Sequence, residues 1–98
     1  MKYALTVENE QGKHEIEVTP RGIKGGRYLL QKLPEIEEKY ENTEVDILAK
    51  VLYGVCEQIV ADPEKASKYR ELVDILAGGK YSVRVEPDRN RIYLTPEK

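Results

Sequence analysis

The sequence predicts an α+β fold in which two β-hairpins flank a helical middle. Both ends of the chain alternate apolar and polar residues around a short polar turn, the pattern of strand pairs with one face in water. Between them, apolar residues recur at three- and four-residue spacing, as in amphipathic helices. We therefore expect one two-layer domain over residues 1–98, with hairpins at 1–20 and 80–96 and helices within 26–77.

The first hairpin has a definite predicted register. Pairing Glu8 with Lys13 places Leu5 opposite Ile16 on a single apolar face, because strand side chains alternate between the two faces. The polar turn ends in Gly12, which tolerates the left-handed backbone that such turns require. The other face carries charged residues and threonines and should meet water.

The second hairpin follows the same rule. Pairing Glu86 with Arg91 places Val85 opposite Ile92, and the turn between them ends in Asn90, which also tolerates a left-handed backbone. Since an isolated hairpin is only marginally stable, the two hairpins are expected to form a four-stranded antiparallel sheet. Helices would cover one face of it, and the four strands could come from one chain or be shared in a dimer.

The helical middle divides into three predicted helices. The first runs from about residue 26 to 41 and is interrupted by Pro34, which predicts a kink or two short helices. The second begins at a Thr43 cap and is apolar on much of its circumference up to residue 61. The third begins at an Asp62 cap and ends at Gly78.

Composition restricts the possible function classes. The chain has 98 residues, a net charge of −2, 40% apolar and 35% charged residues, and one cysteine. An acidic balance argues against a protein that coats duplex DNA, and one cysteine argues against disulfides or a cysteine-based metal site. A strand pattern begins at once, so we expect no signal peptide. No apolar run approaches the ~18–20 residues of a membrane helix, so no membrane segment is expected, and one cysteine suits a reducing, cytoplasmic compartment. Abundant lysine and glutamate are typical of heat-adapted proteins and also of engineered sequences.

A glycine-rich basic segment after the first hairpin is the first candidate site. Glycines allow close approach of the backbone to a ligand, and cations near a helix start favour phosphate, either of a nucleic acid or of a small ligand. The alternative is a flexible, solvated connection between a strand and a helix. The candidate residues are Arg21, Gly22, Lys24, Gly25, Gly26 and Arg27.

The water-facing side of the second hairpin is the other candidate site. Arg84, Arg91 and Tyr93 share this face, and arginines around an exposed tyrosine can stack bases and neutralise phosphates. The alternative is ordinary cross-strand pairing of opposite charges.

No constellation of residues indicates catalysis. The chain has a single histidine, and its one cysteine, Cys56, lies among valine and isoleucine, where it would act as a small apolar residue. No metal or cofactor is expected, and the protein is not expected to be an enzyme. The leading hypothesis is a module, expected to be a homodimer, that binds single-stranded nucleic acid or a phosphate-bearing ligand. The alternative is a protein-interaction or assembly subunit, a homo-oligomer with no nucleic-acid role, which is suggested by possible free strand edges.

Overall fold

A computed structural model describes residues 1–39 and 45–97 of the chain. The elements are β1 (Tyr3–Asn9), β2 (Gly12–Thr19), β3 (Gly22–Lys24), α1 (Gly26–Lys39), α2 (Val45–Ala61), a 3-10 helix (Pro63–Tyr69), α3 (Arg70–Ala77), β4 (Tyr81–Glu86), a 3-10 turn (Pro87–Arg89) and β5 (Arg91–Pro96). None of the helices in these two ranges has the length and apolar character needed to cross a membrane. The fold class is α+β, as predicted.

The sheet differs from the predicted one in size and direction. It has five strands in the order β3-β2-β1-β5-β4, and β1 and β5 are parallel while the other neighbours are antiparallel. The prediction of a four-stranded antiparallel sheet is therefore wrong in detail. The two hairpins meet through β1 and β5, and the helical middle that joins them forms the long crossover that parallel neighbours require.

Both predicted hairpin registers are confirmed. Glu8 lies opposite Lys13 and Leu5 opposite Ile16. Glu86 lies opposite Arg91 in the second hairpin, and the other pairs follow from it. The turns are also as expected, with φ of 118° at Gly12 and 53° at Asn90.

The core lies between one face of the sheet and the helices. The apolar residues of all three long central strands point into it, and α2 contributes a buried stripe along its length. Fully buried side chains of the core include Val7, Ile16, Val18, Ile36, Leu52, Cys56, Ile59, Leu76, Ile92 and Leu94.

The helices confirm part of the predicted boundaries. α1 continues through Pro34 as one helix to Lys39. The predicted third helix is divided: its first turns are a 3-10 helix capped by Asp62, whose carboxylate accepts a hydrogen bond from the Glu64 amide at 3.1 Å. α3 ends at Ala77 and is capped by Gly78, which has the left-handed φ of 81°. The predicted Thr43 cap lies outside the described residues.

Candidate functional site

The glycine-rich basic segment forms regular structure along most of its length. Gly22–Lys24 is β3, an edge strand that pairs with β2, and α1 begins at Gly26. Arg21 lies in the turn before β3, where the Thr19 hydroxyl accepts hydrogen bonds from the amides of Arg21 and Gly22 at 3.2 and 3.1 Å. The segment is thus a turn, a strand and a helix start in succession.

Packing and backbone conformation explain why two positions of this segment are glycine. A Cβ at Gly25 would lie 2.7 Å from the Leu29 Cβ and 3.2 Å from the Ile16 Cγ1, so this position permits α1 to approach β2 closely. Gly26 has a φ of 58°, which favours glycine. Neither residue requires a ligand to explain it.

The cations of this segment are exposed. Arg21, Lys24 and Arg27 all point to solvent, and none forms an ion pair within residues 1–39 and 45–97. The first turn of α1 contains no acidic residue, so the positive end of the helix dipole adds to their charge. Their spread over three elements makes a basic surface. Glu17 of β2 lies opposite Lys24 in the sheet, and a shallow groove beside Lys24, Gly25 and Gly26 is also lined by Glu15 and Glu17.

The arginine–tyrosine face has the predicted membership, but its charges are already paired. The Arg84 guanidinium stacks over the Tyr93 ring at 4.1 Å and lies 3.7 Å from the Glu86 carboxylate. Arg91 reaches across β1 to the Glu15 carboxylate at 3.8 Å. The contacts of this face are therefore pairs of opposite charges, of which Arg91–Glu15 crosses strands and Arg84–Glu86 lies within β4.

Glu86 is the acidic centre of this network. The Tyr93 hydroxyl, and then the positive charges of Arg89, Arg84 and Arg91, hold the pKa of its carboxyl below the ordinary value. The Arg89 side chain lies 4.0 Å from the same carboxylate. A phosphate on this face would have to compete with these carboxylates for the arginines.

The outer edge of β4 is the feature that the strand order reveals. β4 is the last strand of the sheet, and no strand in the described part of the chain pairs with its outer side. In an antiparallel strand, the N–H and C=O of one residue point to the same side, and that side alternates along the chain. The Lys80 carbonyl accepts a hydrogen bond from the Glu97 amide at 3.1 Å, so the backbone N–H and C=O of Lys80 point towards β5.

The alternation then fixes which backbone groups are free. Tyr81, Val83 and Val85 direct their N–H and C=O groups away from β5, to the open edge. Pro96, which has no N–H, lies opposite Tyr81, as a position without an inter-strand bond allows. β4 therefore presents an ordered row of donors and acceptors.

The opposite edge of the sheet is different. β3 has only three residues, and short strands are a common way to protect a sheet edge from pairing. β4 has six residues, two of them β-branched valines on the helix-covered side. The two edges are therefore unequal: β4 is open along all six of its residues, whereas β3 covers Glu17–Thr19 of β2 and leaves residues 12–16 of that strand without an outer neighbour in the described part of the chain.

A groove runs beside this edge on the helix-covered side. It has a volume of about 390 Å³ and lies between β4 and the 3-10 helix with α3. Its apolar lining comes from Pro63, Ala66, Tyr81 and Val83. One carboxylate oxygen of Asp74, also at the groove, is buried and has no hydrogen-bond partner among the described residues.

A larger apolar groove lies on the helical layer. It has a volume of about 550 Å³, and α2 forms one wall while the 3-10 helix and α3 form the other. Ile47 and Val51 stand half exposed along it. It offers apolar area without an ordered row of hydrogen-bonding groups.

The cysteine and the histidine of this chain both lie in packed surroundings. Cys56 is fully buried, and burial raises the pKa of its thiol to about 12, so the thiol is protonated at neutral pH. The His14 ring stacks on the Tyr28 ring with centroids 4.2 Å apart. Within the described ranges, no group of three or more His, Cys, Asp and Glu residues is placed to hold a metal ion.

Comparisons with protein-family models, with curated proteins and with solved structures found no match for this chain. The class of molecule is therefore defined by its own geometry. Over the described residues it is a small α+β domain with a mixed sheet, a polar face with paired charges, and the open edge of β4 beside a groove.

Proposed function

We propose that this protein is a non-enzymatic protein-interaction module that binds an extended strand of another chain at the outer edge of β4. The single observation that carries the proposal is the row of outward backbone groups at Tyr81, Val83 and Val85. Strand addition to an open edge is a common mode of peptide recognition, in which backbone hydrogen bonds provide affinity.

The groove supplies the second part of such a site. Alternate side chains of an added strand would point towards the helical layer, where the groove of about 390 Å³ lies beside Tyr81 and Val83. Both residues are only partly buried, and so is Val85. A partner strand with apolar residues at alternate positions would bury them further, while its other side chains would remain on the polar face.

The charges of the polar face also favour a protein partner. Arg84 and Arg91 have carboxylates within 4 Å, and the whole chain is acidic at −2. Since these arginines are neutralised, this face has little net attraction for a phosphate backbone. A polypeptide strand needs no such attraction.

The test uses a capped peptide with the sequence of residues 80–86 as a strand probe. We expect it to shift the NMR amide signals of Tyr81, Val83 and Val85 in the isotope-labelled protein. Val83→Pro should weaken binding at least about tenfold, because proline removes an outward N–H that the added strand would use. Proline fits an edge position whose N–H faces outward, so β4 should stay paired with β5.

Val83→Thr is the matched control. Threonine keeps the outward N–H and the branched shape and adds a hydroxyl, so the peptide affinity should fall by clearly less than in Val83→Pro. If the natural protein is already paired through this edge, the peptide should compete and lower the mass measured by light scattering. Equal binding to the proline variant, or signal shifts confined to the α2 groove, would show that the edge is not the site.

A second candidate function concerns the basic surface of Arg21, Lys24 and Arg27. These exposed cations have no ion-pair partner within the described ranges. Arg27 lies in the first turn of α1, Lys24 at the end of β3 just before it, and Arg21 in the turn that precedes β3. They support binding of single-stranded nucleic acid or of a smaller phosphate-bearing ligand. Arg84, Arg91 and Tyr93 are a weaker part of such a surface because of their carboxylate neighbours.

This second candidate predicts a specific effect of removing the three cations. Replacing Arg21, Lys24 and Arg27 together by alanine should weaken binding of labelled single-stranded DNA or RNA. It should also reduce the slope of log affinity against log salt by about 0.7 per lost phosphate contact. The control replaces the exposed Lys13, Lys50 and Lys68, which changes net charge equally. Equal loss in both variants would mean that only net charge matters.

The proposal extends to the compartment, the origin and the oligomeric state of the protein. A single, buried, reduced cysteine suits a cytoplasmic protein. The lysine- and glutamate-rich composition supports either heat adaptation or an engineered origin. A homodimer is one form of the proposed strand pairing.

A further inference from the structure

We propose that the strand which pairs with β4 is the β4 of a second copy of this chain, running antiparallel about a twofold axis centred on Val83. This inference rests on the proposed function and adds the partner and the register. A twofold interface uses the same patch on both copies, so the patch must be complementary to itself.

The backbone of β4 meets this condition. With the axis at Val83, Val83 lies opposite the partner's Val83, and Tyr81 lies opposite the partner's Val85. These are the residues whose N–H and C=O groups point outward, and opposite residues of this kind exchange both hydrogen bonds. Every outward group of both strands therefore finds a partner.

The side chains also match in this register. On the helix-covered side, Tyr81 faces the partner's Val85, and aromatic with β-branched pairs are favourable across strands. On the polar side, Lys80 faces the partner's Glu86, an opposite-charge pair made twice by symmetry. Lys80 is exposed and has no ion pair among the described residues, so the interface provides the carboxylate that it lacks.

Neighbouring registers are worse for physical reasons. If the axis moves from Val83 to Arg84, Arg84 lies opposite the partner's Arg84. If it moves to Ser82, Lys80 lies opposite the partner's Arg84. Like charges directly opposite each other destabilise a sheet. A further shift towards the end of β4 brings Val83 against the partner's Pro87, where a 3-10 turn begins. Registers that bring unlike faces together would expose the apolar residues.

The groove beside β4 would then be occupied. The partner's Val85 would lie next to Tyr81, above the groove lined by Pro63 and Ala66. The two sheets would join into one continuous sheet, with both helical layers on the same side. The basic surface at β3 lies at the opposite edge of each sheet and would stay free.

Cysteine cross-linking tests this register directly. In the proposed pairing, Ser82 lies opposite the partner's Arg84 at a position without inter-strand bonds. Cα atoms there are about 4.5 Å apart, within the range that a disulfide spans. Ser82→Cys and Arg84→Cys proteins, each in a Cys56→Ala background, are prepared separately, mixed, unfolded, refolded together and oxidised. Cross-linked dimer is expected in the mixture and not in either protein alone.

Other cross-linking results would contradict the proposed register or the proposed partner. Cross-linking of Arg84→Cys alone, or of Ser82→Cys alone, would mean one of the two neighbouring registers and would overturn the proposal. Lys13→Cys, exposed at the far side of the sheet, is the control that should not cross-link with either. No cross-link in the mixture, while the 80–86 peptide still binds the edge, would reject the second copy and leave the proposed function standing. Failure of both would reject both.

Discussion

Replacing Leu94 by alanine is expected to lower the free energy of unfolding by about 2–5 kcal/mol. Leu94 is fully buried in β5, opposite Val7 of β1 and Val83 of β4. The change removes apolar contacts and leaves a cavity where the two hairpins join. Since small domains have a total stability of about 5–15 kcal/mol, the loss would be a large part of it. Urea denaturation followed by circular dichroism measures it.

Thr95→Ala is the matched control for this prediction. Thr95 is the next residue of the same strand and is exposed, so its replacement should change the stability by no more than about 0.5 kcal/mol. A comparably small effect of Leu94→Ala would contradict the placement of β5 between β1 and β4.

Replacing Gly25 by alanine is expected to destabilise the protein by about 1–3 kcal/mol. The added Cβ would lie 2.7 Å from the Leu29 Cβ, which is fixed to the helix backbone and cannot rotate away. It would also lie 3.2 Å from a side-chain carbon of Ile16. Relief requires the first turn of α1 to open as well as α1 to move away from β2, and otherwise the strain is retained; the denaturation midpoint falls in both cases.

Gly22→Ala provides the comparison. An added Cβ at Gly22 meets nothing within 4 Å, so the stability should stay within about 0.5 kcal/mol of the natural protein. Equal effects at the two positions would mean that the β2–α1 approach is looser than described. The pair also separates the structural role of Gly25 from any role in binding, because both glycines belong to the same basic segment.

The hairpins could be predicted in register because their information is local. Alternation determines which residues share a face, and Gly12 and Asn90 mark where each turn ends. Aligning Leu5 with Ile16 needed no knowledge of the rest of the chain. The Asp62 cap was predictable for the same reason, since it depends on residues next to it.

The arrangement of the hairpins was not predictable in this way. A strand's apolar pattern specifies its buried face and not its neighbour, so the parallel pairing of β1 with β5 left no local signal. β3 is three residues long and bounded by glycines, so it had no alternation to detect. The 3-10 turns of Pro63–Tyr69 carry apolar residues at a spacing that also suits an α-helix.

In the candidate sites, too, the features that depend on local alternation were predictable and those that depend on strand order were not. Arg84, Arg91 and Tyr93 share a face as the alternation predicted, but the reach of Arg91 to Glu15 crosses β1 and depends on strand order. The free edge of β4 depends on strand order as well. The sequence indicated that hairpin edges could be open, and only the assembled sheet distinguishes β4 from β3.

Hydrogen exchange of the β4 amides, resolved by residue, tests the central proposal most directly. It is measured on the dilute protein, the concentrated protein, and the dilute protein with the 80–86 peptide. We expect Ser82 and Arg84 to be protected throughout by β5, and Tyr81, Val83 and Val85 to become protected when a second strand is present. If those three amides exchange freely in the concentrated protein and with the peptide alike, the edge of β4 binds no strand, and the proposed function is wrong.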